Sequence, residues 1–301
     1  RVRFTSIKNL IMAYFLIGQI SLAPAEECRD EDSECLMKAV KEHVIHTVKF
    51  WEKRIEVPPL PLEKRIIDAP SEIIDFLILD NRLNGYPNRP RSAKPDQKFH
   101  RDFVKALSEI PETLKRIIEK KLVGIIFVED LGGSGWSELL RDEKGRAVRG
   151  FIVFDYKQLQ ERSANLWATW KESSAFKPTE GYKLTMKIAN NKNDTRKNAL
   201  FFIALHELSH IIAIGEDFHP AWDSSHADLD KTNGSPTSFP FTEISWVGTK
   251  ESKYDKQEFP LRTKVHFYEG AELNASEMAM TYNQLKKTNF ISLYGATNPF
   301  D

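Results

Sequence analysis

Apolar positions recur at helical spacing over much of the chain and change to short β-rich runs near its middle. Leu36, Val40, Val44, Val48 and Trp51 share one side of residues 34–54, which predicts a first helix. Pro58, Pro59 and Pro61 stop it and begin an extended linker. A helical patch follows at 71–79, and residues 84–97, rich in Pro, Asn, Arg and Lys, read as a surface loop. From His100 to Lys121 a further helix aligns Phe103, Leu107, Ile110, Leu114 and Ile118, with Pro111 placed to kink or split it.

The period then changes. Residues 123–128 form a β-rich run, 131–135 a glycine turn and 150–154 a second strand. Helical spacing returns at 157–172, and 177–195 are polar and irregular. A strong helix is predicted from about Arg196 to Ile214, with Asp194 or Thr195 to cap its start and Gly215 to end it. A long polar stretch, 216–264, precedes a last helical segment at 271–287. A small sheet flanked by helices gives an α+β class.

Hydrophobic residues make up 41% of the chain and charged residues 29%, ordinary values for a globular protein. The formal net charge is zero, so no general attraction to nucleic acid or anionic membrane is expected. The first 25 residues stand apart. Arg1, Arg3 and Lys8 precede an apolar run from Leu10 to Ala23, and Ala23-Pro24-Ala25 supplies small residues before Glu26 and Glu27. That is the layout of a signal peptide cut after Ala25, too short to span a bilayer. An exported protein, periplasmic or secreted, with no stable membrane insertion after cleavage is the expectation. The chain opens on Arg rather than Met, so further residues upstream are expected. Cys28 and Cys35 fall just after the cut, where an oxidising compartment would join them as a structural disulfide.

The chemistry lies in the helix at 196–214, which contains His206-Glu207-Leu208-Ser209-His210. Four helical residues turn the side-chain direction by about 400°, so the two imidazoles stack on one face, one turn apart. They can reach one Zn²⁺ together, leaving Glu207 to take a proton from an attacking water. The residues around the motif, from Phe201 to Leu205 and from Ile211 to Ala213, are apolar, so the helix is expected to be buried. Buried His and Glu need partners, and a metal supplies one.

A third ligand is needed. Ala213 and Glu216 stand where an HExxHxxGxxH enzyme has Gly and the last His. His219 could return through a loop, and Glu269, Glu272 and Glu277 are alternatives by position. His43 and His46, three apart on the first helix, and His100, His226 and His266 read as ordinary surface or core residues.

The final residues, Tyr294-Gly295-Ala296-Thr297-Asn298-Pro299-Phe300-Asp301, together with the upstream HExxH, resemble the anthrax lethal factor-like metallopeptidases, whose downstream motif is Tyr-Gly-x-x-Asn-x-x-Glu. The resemblance implies a zincin-like catalytic core over 122–301: a small sheet with an edge strand beside the HExxH helix. A helical region, 26–121, would precede it. It also implies Tyr294 as the group that stabilises the oxyanion and Asp301 as third zinc ligand, beside His206 and His210. Position 301 is Asp where the family has Glu, and the helix that carries this acid is expected to continue beyond it. Substrate would add as a further strand, with 150–154 as the candidate edge. The function expected is zinc-dependent hydrolysis of a protein or peptide, with Glu207 as general base. The alternative is an inactive scaffold of the same fold with a structural zinc.

Overall fold

The computed structural model describes residues 28–54, 60–216, 218–219, 222, 239–267 and 270–300. The expected signal segment, Asp217, His226, Glu269 and Asp301 lie outside the described residues.

The first predicted helix is broken. α1 (Ser33–Lys41) ends at Glu42, a 3₁₀ turn covers Val44–His46, and α2 (Val48–Glu52) starts afresh. The break is capped twice, because His43 accepts from the Ile45 N–H and Thr47 from the Phe50 N–H. A disulfide joins Cys28 to Cys35, with Cα atoms 5.7 Å apart, and ties the entering chain to α1.

Next come β1 (Ile66–Ile67), α3 (Ser71–Leu83), β2 (Arg91–Ser92), α4 (Gln97–Ser108) and α5 (Glu112–Lys121). Pro111 separates α4 from α5 and serves as the N-cap of the second. Three long strands follow: β3 (Leu122–Glu129), β4 (Gly135–Arg141) and β5 (Ala147–Asp155). Two helices, α6 (Tyr156–Leu159) and α7 (Ala164–Ser173), lead to β6 (Phe176–Lys177) and then α8 (Arg196–Ala213). The described chain closes with β7 (Leu273–Asn274) and α9 (Met278–Leu285).

The class is α+β. In the mixed sheet the order is β1-β3-β5-β4, with β2 also paired to β3. β1, β3 and β5 run parallel, whereas β4 is antiparallel to β5. Strands from both sides of residue 121 therefore share one sheet.

One expectation is corrected here. Residues 150–154 are not an edge, because β5 lies between β3 and β4; the edge is β4. The sequence explains why. Phe151, Ile152, Val153 and Phe154 are all buried, the continuous apolar run of a strand covered on both faces. β4, Gly-Trp-Ser-Glu-Leu-Leu-Arg, mixes polar and apolar positions as an edge strand does.

Alternation along the strands sorts the core into two layers. Ile125, Phe127, Leu139, Ile152 and Phe154 face α4, α5, α7 and α8. Ile126, Val128, Leu140, Phe151 and Val153 face Trp51, Ile73, Phe76 and Leu77 on the other side. Gly150 permits a close approach of the end of α8 to the sheet, since a Cβ there would lie 2.8 Å from the side chains of both Ile211 and Ile214. A third apolar cluster, including Phe176, Phe259, Leu273, Leu285 and Leu293, gathers the C-terminal turns. Among the described residues no helix is long and apolar enough to cross a membrane.

Candidate metal centre

α8 begins where Thr195 accepts from the Asn198 N–H at 3.2 Å, and it stops before Gly215, whose φ is 70°. The helix carries apolar residues on nearly every side because it packs on the sheet and on α4, α5 and α7. One side stays polar. There the rings of His206 and His210 lie 5.1 Å apart, at 87° to each other. Burial, with the neighbouring His206 and His219, pushes the His210 pKa down to about 3. The neutral imidazole, the form that ligates a metal, is thereby the ordinary state of His210.

Glu207 is buried against β4. Ser137 Oγ donates to its Oε2 at 2.5 Å. Gly135 lets the other oxygen approach the backbone: a Cβ at 135 would fall 2.7 Å from Glu207 Oε1. The start of β4 is itself fixed, because buried Asp155 accepts from the Leu131 N–H at 2.8 Å and its own N–H donates to Ser134 O. The glycine segment is thus the anchored entry to an edge strand as well as a turn. Trp222 Nε1 donates to the Ser137 carbonyl at 3.2 Å, and its ring lies 5.0 Å from His210. At its other end, β4 is bridged by Thr47 at Arg141.

The C-terminal turn brings Tyr294 to the same side. It opens a 3₁₀ turn, Tyr294–Ala296, and its ring centroid lies 6.0 Å from that of His206. Phe300 reaches the ring of buried His219, 6.4 Å away. The structure thus brings together His206, Glu207, His210 and Tyr294. Among the described residues no three His, Cys, Asp or Glu side chains converge to hold a metal ion. The donor set fits a zinc site to the extent of two facing imidazoles with a carboxylate between them in sequence.

Of the other candidate ligands, His219 is buried and its charge acts on His210, while Glu277 and Glu272 are engaged elsewhere. Glu277 accepts from the Asn274 N–H at 2.9 Å in a capping box, and Glu272 sits 3.6 Å from His266 and 3.9 Å from Lys264. Sequence reasoning missed Ser137, Gly135, Trp222 and the buried pair Lys171–Glu172. Alternation of Trp136, Glu138 and Leu140 against Ser137 and Leu139 was the available signal for β4. No family model, no curated protein and no solved structure matches the chain.

Proposed function

We propose that the protein is an exported, zinc-dependent metallopeptidase with a zincin-like core. Its metal would be held by His206 and His210, with Asp301 as the third ligand that the family resemblance implies. The observation that carries the reading is the arrangement around Glu207. An HExxH helix lies against an antiparallel edge strand whose Ser137 fixes the Glu207 carboxylate, and the same helix turns two imidazoles toward each other.

Zinc, when bound, supplies Lewis acidity at the scissile carbonyl and lets a water lose its proton near neutral pH. Glu207 takes that proton and delivers it to the departing amine. The Tyr294 hydroxyl donates to the developing oxyanion, worth most in a site shielded from water. A peptide substrate pairs with the open part of β4, between Gly135 and Leu139, which orients its carbonyl toward the helix. Trp222 already uses the Ser137 carbonyl, so an incoming strand displaces that indole.

The test is Glu207→Gln. We expect about one zinc per chain in both proteins, and a loss of peptide cleavage of about a thousandfold in the variant. Zinc bound with no cleavage of a broad peptide library by the wild type would favour the scaffold reading. Full activity in the variant would end the mechanism.

A further inference from the structure

Two ionisable residues at the end of α7, Lys171 and Glu172, are each only 7% exposed and lie beside the turn that carries Tyr294. Lys171 Nζ sits 3.8 Å from the centroid of the Tyr294 ring. Phe267 meets the same tyrosine edge-on, with centroids 5.2 Å apart at 85°. Glu172 accepts the Tyr282 hydroxyl at 2.5 Å, and the backbone N–H of Leu293, the residue before Tyr294, favours its charged form. One helix end therefore places Glu172 beside the backbone leading into Tyr294 and Lys171 over the face of its ring.

We propose that Lys171 and Glu172 are positioning residues for Tyr294, Glu172 by fixing the turn and Lys171 by clamping and polarising the phenol ring. The inference rests on the hydrolytic reading above. Burying an ammonium group is costly, and a methionine would fill the same space without that cost. A cation over a phenol ring holds the ring in place through its quadrupole. It also draws electron density from the ring, so the hydroxyl becomes a stronger donor to an oxyanion. Charge of this kind acts mostly in the transition state, so its removal lowers kcat and leaves KM alone.

The experiment is a double-mutant cycle with Lys171→Met, Lys171→Arg and Tyr294→Phe, read as kcat and KM on the same peptide. We expect Lys171→Met to lower kcat about tenfold with KM unchanged, and Lys171→Arg to keep most of the activity. In the Tyr294→Phe background the methionine substitution changes kcat by less than about twofold, because the group it acts through is gone. An equal loss in both backgrounds, or wild-type kcat in Lys171→Met, overturns the proposal. A second readout needs neither metal nor turnover. In metal-free protein with ¹³C-labelled lysine, the Lys171 side-chain protons resonate upfield under the Tyr294 ring and move downfield in Tyr294→Ala, where only the more distant Phe267 ring remains. Protons unmoved by that substitution also overturn it. Failure of the hydrolytic reading looks different: the zinc-loaded wild type cleaves nothing before any variant is compared.

Discussion

Two histidine pairs at helical spacing lie on opposite sides of the sheet, and their fates differ. His206 and His210 sit four apart in the unbroken α8 and turn their rings toward each other, 5.1 Å between centroids. His43 and His46 sit three apart, but the helix ends before them and both lie on the 3₁₀ turn that follows. His43 caps the 3₁₀ turn, and both rings meet Phe76 edge-on, at 5.3 and 5.0 Å. His46 then lies 3.7 Å from Glu138, on the side of β4 opposite Glu207. Spacing turns two imidazoles toward each other only where the helix runs through both positions. The end of α1 at Glu42 is enough to turn the other pair into packing residues against Phe76, His46 also facing Glu138.

Variants can sharpen that contrast. The largest effect is expected from Gly135→Ala. Its methyl group would push on the Glu207 carboxylate, and a displacement of that size costs about a hundredfold in kcat. Steady-state kinetics with metal content as control would show it; unchanged kcat would mean the carboxylate position does not matter. Ser137→Ala removes one charge-assisted hydrogen bond from the same carboxylate. We expect a loss of roughly tenfold in kcat with zinc retained.

The smallest effect lies on the opposite side of β4. Burial, and then the charge of Glu138, raise the Asp80 pKa from 3.8 to about 6. The folded state therefore holds a proton that the unfolded state releases between these values. Stability from this group falls as pH rises through that window, and the cost is complete above it. Asp80→Asn should stabilise the protein by about 1–2 kcal/mol at pH 7.5 and leave it unchanged below pH 4. Thermal unfolding at both pH values checks the sign, and equal shifts at both would refute the burial argument.

Much of α8 was legible in the sequence. Its apolar surround, the Thr195 cap and Gly215 are local signals, and each has the expected role. The split at Pro111 was legible for the same reason. The edge strand was not, because Gly132, Gly133 and Gly135 mark a turn more loudly than the short alternation behind them marks a strand. The first helix was overextended, since the apolar positions continue in phase across the break while the capping side chains set its limits. Lys171 and Glu172 were invisible because charged residues on a helix normally face water, and here Phe267, Tyr282 and the Tyr294 turn fold back against them. Tyr294 itself entered through family resemblance, and the structure sets its ring beside His206.

The most direct measurement is zinc stoichiometry, by elemental analysis after dialysis against metal-free buffer, in three proteins. Wild type and His43→Ala/His46→Ala should each retain about one zinc per chain, while His206→Ala/His210→Ala retains none. Metal-free wild type, or zinc that survives loss of His206 and His210, would contradict the account.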